Sequence, residues 1–457
     1  MAAERYNAAM DLRMEKDLSM PHVQTSVLPN GVVVLTEHMP MNRGVGVSVL
    51  VDAGPQDETS EQSGLAHLCE HAFFLGTRTR SEQDIAGLID SAGGQLGGFT
   101  ARDYTCLHAT ISSDYVTYAV DLLGEMLTNS DYSNERLERE IEVIGHEIDA
   151  HEDETESWLD GELKRKMWPG DPLGRPLLGT RESLSSINRD HVQAFLANHY
   201  TPDRVIVAAA GQIDHDDFVE QTHDALWQLE GKKKAREHGL AVPVGGAVVS
   251  SREQRMALTS LMIPAPVYTD PDRYALHILV TLLGGGMSSR LYRELRERHG
   301  LVYSVSAGLN AYGRGSVIAV EMATSPESVM PGLMHIFDQL VRLAFEDQPI
   351  SEEELWKANM QVHGQAFLAS DSLQTRVSRL ATQQHYFGHP IDANEMLEAI
   401  DAVDIATVCH VAKRVIGSGL AETSIGVAGN LGESERAMLE GIADLRDCFA
   451  SIKTQTT

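Results

Sequence analysis

A polar, basic stretch near the middle of the chain divides it into two halves of nearly equal length. Residues 231–239 read Gly-Lys-Lys-Lys-Ala-Arg-Glu-His-Gly, and Pro243 and Gly245 follow soon after. This composition is typical of a linker between folded units. We therefore predict two domains, over residues 1–232 and 247–457.

The two halves share a residue pattern that indicates the duplication of one α+β unit. Residues 64–76 resemble residues 273–285 in their apolar pattern, and Ser133–Leu137 resembles Ser351–Leu355 at a similar separation along the chain. We predict two homologous α+β domains, each a mostly antiparallel sheet with helices packed on it.

Local periodicity predicts the elements of the first half in more detail. Alternating or β-branched runs indicate strands, and apolar residues three and four positions apart indicate helices. We expect a hairpin over 24–37, strands within 45–51, 96–111 and 205–210, and helices over 65–75, 81–92, 115–127, 134–151 and 191–199.

The chain is strongly acidic, with 66 acidic and 37 basic residues and a formal net charge of −29. This charge makes nucleic acid a poor partner, because phosphate binding requires basic patches. Two explanations stay open: general solubility, or an acidic interior that attracts basic peptides. No apolar run reaches about 18 residues, so we predict no membrane span.

Four widely spaced cysteines, Cys69, Cys106, Cys409 and Cys448, form no CxxC pair. Their spacing favours reduced thiols over a disulfide framework. Residues 1–22 lack the apolar stretch of a signal peptide and are too acidic for a typical transit peptide. We therefore expect a cytoplasmic protein, with the mitochondrial matrix as the alternative.

The run His67-Leu-Cys-Glu70-His71 is the motif with the clearest chemistry. On a helix, positions i and i+4 share one face, so both imidazoles can reach one ion. H-x-x-E-H is the signature of inverzincin peptidases, in which zinc activates a water molecule and the glutamate moves its proton. The alternative is a surface or core triplet without a metal.

A catalytic zinc site commonly has three protein ligands, and the helix predicted over 134–151 offers the third. Glu140 and Glu147 lie seven residues apart, which is two turns along one helix face. One carboxylate could complete a His₂Glu site while the other orients an imidazole. On sequence alone, His146 and His151 are rival ligands. The acidic residues could also form a solvated face with Glu138 and Glu142.

These motifs resemble those of the pitrilysin/insulinase family of zinc peptidases. The resemblance rests on residues 63–77 and 137–148, and segments 174–180 and 198–202 add to it. It runs over nearly the whole chain and is closest to the half-length processing peptidases. It implies one zinc ion per chain, with these roles: His67, His71 and Glu147 as ligands, Glu70 as general base and Glu140 as a supporting carboxylate.

The second half carries a further match to this family, at Arg296 and Tyr303. The resemblance implies that this pair grips the substrate backbone and the oxyanion, for which a guanidinium and a phenol are suitable donors. The alternative is a surface cation and an unrelated strand aromatic. In the second half, Leu276 and Val280 stand opposite His67 and His71, so that half cannot hold a metal in the same way.

One segment departs from the family, which usually has Asn-Ala where this chain has Gly97-Gly98. The resemblance implies that Gly97, Gly98, Phe99 and Thr100 form the sheet edge to which a substrate adds as a further strand. Glycines permit close backbone approach but weaken a strand. This departure favours an unusual specificity or a lower activity.

The family resemblance implies half of a clamshell that closes around a chamber with a second chain. We expect a zinc metalloendopeptidase acting on peptides or unfolded precursor segments, as a homodimer or as a heterodimer with a homologous subunit. The alternatives are a maturation protease subunit for one precursor peptide, and a non-catalytic peptide-binding or scaffold subunit.

Overall fold

Two β-sheets form the centre of the protein, seen in a computed structural model that describes residues 23–236, 239–346, 350–431, 437–438 and 441–442. The expectations for residues 1–22 and for Cys448 lie outside the described residues. Among the helices of the described part, none is both long and apolar enough to cross a membrane.

The first sheet has six strands, in the order β1-β2-β6-β3-β5-β4. They are β1 (Val23–Val27), β2 (Val33–His38), β3 (Gly44–Val51), β4 (Gln95–Thr100), β5 (Thr105–Ser112) and β6 (Val205–Gly211). The second sheet has five, in the order β7-β11-β8-β10-β9. They are β7 (Gly246–Ser251), β8 (Ala257–Ala265), β9 (Val302–Ala311), β10 (Ser316–Thr324) and β11 (Ser424–Gly429).

The strand order of the second sheet repeats that of the first once β1 is set aside. In each sheet, the strands of the repeat that come first and last along the chain are parallel neighbours: β2 pairs with β6, and β7 pairs with β11. The other pairings within the repeat are antiparallel. The repeat supports the duplication inferred from the apolar pattern, and the prediction of a two-domain α+β fold is confirmed. The domain limits at residues 232 and 247 stay a prediction.

Fourteen α-helices of the described residues pack on these sheets. In the first half they are α1 (Leu65–Ala72), α2 (Glu82–Ser91), α3 (Val116–Asn129), α4 (Asn134–Asp153), α5 (Thr155–Met167), α6 (Arg181–Ser186), α7 (Arg189–His199) and α8 (His215–Leu226). In the second half they are α9 (Arg273–Gly284), α10 (Val329–Phe345), α11 (Glu352–Ala369), α12 (Leu373–Phe387), α13 (Ala393–Asp401) and α14 (Ile405–Ala412). Residues Tyr292–Arg298 and Lys413–Gly417 form π-helical turns.

The elements predicted for the first half form close to the expected positions. The hairpin is β1 and β2, which pair in antiparallel register around the Pro-Asn-Gly turn. Ser81 accepts a hydrogen bond from the amide of Asp84, whose carboxylate accepts one from the amide of Ser81, so these two residues cap the start of α2. Ser133 likewise accepts from the amide of Arg136 at the start of α4.

The two halves exchange one helix each, so neither sheet is covered by its own half alone. Helix α12 packs on β3 and β6 of the first sheet, while α5 packs on β7, β8 and β11 of the second. Val377, Leu380 and Ala381 of α12 bury Leu35 and Ile206 of the first sheet. Since β6 is covered on both faces, its residues are apolar throughout and all buried.

The basic linker is bound to the first half by ion pairs. Arg236 places one guanidinium nitrogen 2.7 Å from a carboxylate oxygen of Asp52 and another 2.7 Å from one of Asp57. Lys233 lies 2.5 Å from the second carboxylate oxygen of Asp52. The lysine-rich composition that predicts a linker therefore also supplies the cations that neutralise two buried carboxylates.

Candidate metal centre

Helix α1 carries the two histidines, and its start is fixed by tight backbone packing. Gly64 precedes the helix with φ +92°, and a Cβ there would lie 2.6 Å from the carbonyl oxygen of Leu178. Leu68, Cys69 and other apolar residues of α1 are buried in the core of the first half. Cys69, in the middle of the motif, therefore packs in the core.

Helix α4 brings two carboxylates against α1. Its buried residues Leu137, Ile144 and Ile148 fix the face that packs inward, and Glu140 and Glu147 lie beside that face. The seven-residue spacing thus directs both carboxylates to the same neighbouring helix.

Three side chains converge in the way that ligands surround a cation. One carboxylate oxygen of Glu147 lies 3.8 Å from Nε2 of His67 and 3.7 Å from Nε2 of His71. These separations exceed hydrogen-bond length, and the three donor atoms all lie within 4.8 Å of one another. Ligands about 2.0–2.2 Å from a tetrahedral zinc ion would need only a small contraction of this arrangement.

The fourth residue of the motif faces the same space. A carboxylate oxygen of Glu70 lies 3.9 Å from Nε2 of His67, so Glu70 borders the three donor atoms. On the other side, Glu140 accepts a hydrogen bond of 3.0 Å from Nδ1 of His71. That contact fixes the tautomer of His71 and leaves its Nε2 as the lone-pair donor.

Burial sets the protonation of the two inner residues. Burial and the neighbouring His71 lower the pKa of His67 to about 3, so the His67 imidazole is neutral and can donate a lone pair. Burial, helped by the charge of Glu147, raises the pKa of Glu70. A carboxylate with a raised pKa is better matched to proton transfer near neutral pH.

The rival ligands on α4 lie elsewhere. His146 and His151 are exposed and do not join His67, His71 and Glu147 in their cluster within the described residues. Glu138 and Glu142 are exposed as well, and they form the solvated face of the helix.

The strand beside the motif is an edge strand, as expected, because β4 ends the first sheet. At Gly98 a Cβ would lie 2.6 Å from a carboxylate oxygen of Glu70, so a side chain there would displace the Glu70 carboxylate. At Gly97 a Cβ would instead lie 3.0 Å from Nε2 of His108. Phe99 and Thr100 follow in the same strand and are half-buried.

Arg296 and Tyr303 lie together at the corresponding edge of the second sheet. The guanidinium carbon of Arg296 is 5.5 Å from the centre of the Tyr303 ring, which belongs to edge strand β9 and is 70% exposed. No contact among the described residues joins this pair to His67, His71 or Glu147.

Two family models match this chain, one after the other along the sequence. The family model described as insulinase (peptidase family M16) matches residues 33–181, and the model described as peptidase M16 inactive domain matches residues 186–362. The chain belongs to peptidase family M16. The prediction of a pitrilysin/insulinase relationship is therefore confirmed.

Relatives of this M16 chain match it over most of their length. An uncharacterised zinc protease of Streptomyces coelicolor is 31% identical over 91% of this chain and 92% of its own length. An uncharacterised zinc protease of Bacillus subtilis is 30% identical over 88% of this chain and 98% of its own. A protease from Helicobacter pylori has the same fold, with a TM-score of 0.81 at 18% identity, covering 90% of this chain and 100% of its own.

Glu58, which no sequence pattern predicts, positions the motif helix of this M16 chain. Glu58 is buried, and its carboxylate accepts hydrogen bonds from the amides of Gly64 (3.1 Å) and Ala66 (2.7 Å) at the start of α1. Burial raises the pKa of Glu58 to about 8. Nothing in a polar run before a helix distinguishes such a residue from a solvated glutamate, so the sequence carries no signal for it.

Proposed function

We propose that this M16 chain is a zinc-dependent metalloendopeptidase that hydrolyses peptides or unfolded precursor segments. The observation that carries the proposal is the convergence of His67, His71 and Glu147 at separations of 3.7–3.8 Å without hydrogen bonds among them. Relatives named zinc proteases support the choice of metal.

In this proposal each residue of the centre has one role. His67, His71 and Glu147 hold the ion, and Glu140 orients the His71 ring through its 3.0 Å hydrogen bond. When bound, zinc would lower the pKa of a water molecule to about 7, which makes a hydroxide nucleophile available at neutral pH. The Glu70 carboxylate would accept the proton that the water loses and pass it to the leaving amine.

The edge strand β4 would bind the substrate. An extended peptide that pairs with its free main-chain groups passes directly beside Glu70, because Gly98 allows the backbone within contact distance of that carboxylate. Main-chain pairing depends little on side chains, so we expect loose sequence specificity. The two glycines, which weaken the edge, favour the narrower alternative of a maturation protease for one precursor.

Arg296 and Tyr303 would complete the site from the second sheet. Both are polar donors near an exposed sheet edge, where they could meet the developing negative charge on the substrate carbonyl. We propose that they act on the metal centre of a second chain, in a homodimer or in a heterodimer with a homologous subunit.

Replacing the general base separates this function from a scaffold role. We expect Glu70→Gln to retain zinc but to reduce turnover of a quenched fluorogenic peptide by about 10²–10⁴-fold, the usual contribution of a positioned base. Glu142→Gln, on the exposed face of α4, is the matched control and should retain both the zinc and the wild-type turnover. A wild-type chain that purifies without zinc and cleaves no peptide would instead favour a peptide-binding scaffold.

A further inference from the structure

A second group of metal-binding side chains lies in the C-terminal half, which lacks the motif. One carboxylate oxygen of Glu294 is 3.1 Å from Nε2 of His299 and 3.5 Å from Nδ1 of His335. The three donor atoms all lie within 4.8 Å of one another, as in the first centre. The two imidazole rings pack against each other at an interplanar angle of 35°, with centroids 4.2 Å apart.

The three residues come from two elements that meet at this point. Glu294 belongs to the π-helical turn Tyr292–Arg298, His299 follows it directly, and His335 lies on α10. Arg298 donates a 2.7 Å hydrogen bond to the other carboxylate oxygen of Glu294. This hydrogen bond engages one carboxylate oxygen of Glu294, while the other oxygen faces both imidazoles. Carboxylates that bind metals are commonly oriented by such a second hydrogen bond.

The donor set matches that of the first centre, with two imidazoles and one carboxylate. The separations to the shared carboxylate oxygen are shorter here, 3.1 and 3.5 Å against 3.8 and 3.7 Å, and the 3.1 Å contact is a hydrogen bond between His299 and Glu294 that a bound ion would replace. Such a set suits zinc and neighbouring divalent transition ions, whose bonds to imidazole nitrogen and carboxylate oxygen are about 2.0–2.2 Å.

We propose that Glu294, His299 and His335 form a second metal site in this chain, which binds Zn²⁺ or a similar divalent transition ion. The side chains of His299 and His335 are 38% and 30% exposed, so water can occupy the remaining coordination positions. The histidines of the first centre are more buried, with side chains 10% and 17% exposed. The second site therefore binds its ion more weakly and exchanges it more readily.

A bound ion would link the π-helical turn to α10. Arg296 lies in that turn, between two of the ligands in sequence, and its guanidinium contacts the ring of Tyr303. Occupation of the second site therefore restrains the segment that carries the Arg296/Tyr303 pair. This proposal does not depend on peptidase activity, since its readout is metal binding.

Metal content in a chain with a disabled first centre tests the proposal. Full-length His67→Ala protein would be stripped with chelator and brought to equilibrium by dialysis against buffer that contains Zn²⁺, and the bound ion would be measured by inductively coupled plasma mass spectrometry as the excess over the dialysate. We expect about one bound ion per chain. Adding His335→Ala should remove most of the bound zinc. His363→Ala is the matched control, because His363 contacts a single carboxylate, that of Asp401 at 2.9 Å, and it should leave the ion bound.

Equal zinc content in the His335→Ala and His363→Ala double variants would overturn the proposal, because the cluster would then be only a set of His–carboxylate contacts. A second measurement uses the unaltered chain and avoids any effect of substitution on folding. Zn²⁺ should slow the modification of His299 and His335 by diethyl pyrocarbonate while leaving that of exposed His146 unchanged. Equal modification rates with and without Zn²⁺ at all three histidines would also contradict the proposal.

Discussion

Glu58 shows how a single buried carboxyl group can position a metal-binding helix. Its two hydrogen bonds satisfy amides at the start of α1 that have no partner within the helix. Burial nevertheless raises its pKa to about 8, so the folded protein holds a proton that the unfolded chain releases near pH 4.5.

This shift predicts a pH dependence of stability. Below about pH 4.5 both states are protonated, and as pH rises from there to about 8 the unfolded chain loses the proton first, so the free energy of unfolding falls. We expect Glu58→Gln, which cannot ionise, to lose less stability over this window. Denaturant unfolding of chelator-treated protein at pH 5 and pH 8 measures this loss in the free energy of unfolding, with Glu61→Gln, at an exposed position, as control. A variant with the same pH slope as wild type would contradict the pKa shift.

Gly98 is the residue whose missing side chain matters most to the centre. We expect Gly98→Ala to displace the Glu70 carboxylate and to lower peptide turnover at least tenfold while zinc stays bound, because the Cβ would lie 2.6 Å from a Glu70 oxygen. Gly97→Ala faces His108 instead and is the matched control. Equal losses in both variants would indicate a general effect on the strand. Turnover and zinc content measured together distinguish these outcomes.

At the scale of elements, we expect the exchanged helices to couple the unfolding of the two halves. Leu380 of α12 is 1% exposed and packs on the first sheet. We expect Leu380→Ala to lower the free energy of unfolding by about 2–5 kcal/mol, the usual cost of such a cavity. Leu368→Ala, at a site 76% exposed, should change it little. Denaturant unfolding checks both, and separate transitions for the two halves would contradict their coupling.

The same elements show what sequence patterns can and cannot predict. Apolar periodicity predicts α2 and α4 because this signal is local, and the i, i+4 spacing of His67 and His71 predicts one shared face. The covering of the first sheet by α12 has no local signal, because an apolar stripe on a helix does not specify which sheet it will cover. The positions of Glu58 and of the Glu294 cluster also lack a local signal, because they depend on contacts between separate elements.

At the scale of the whole molecule, the placement of Arg296 and Tyr303 on a separate sheet edge predicts complementation between chains. In a homodimer whose sites combine both chains, a Glu70→Gln chain and a Tyr303→Phe chain together form one intact site. Equal co-expression should therefore restore about a quarter of wild-type turnover, since half of the dimers are mixed and each has one intact site.

Turnover of a fluorogenic peptide by the co-expressed pair, compared with each variant alone, measures this effect. Glu70→Gln co-expressed with His67→Ala is the control, because both changes affect the same centre and each mixed dimer then lacks an intact site. No recovery in the first pair would place the Arg296/Tyr303 pair and the metal in one chain, or show that they do not act together.

The helix exchange also determines the order in which the protein can mature on the ribosome. When residue 232 has left the exit tunnel, the strands of the first sheet have all been made, yet the apolar surface around Leu35 and Ile206 has no cover. Helix α12, which covers this surface, is translated some 140 residues later. The nascent chain therefore exposes an apolar sheet face during much of its synthesis. Chaperone contact during translation is therefore expected to begin at the first sheet and to end only after Phe387 has emerged.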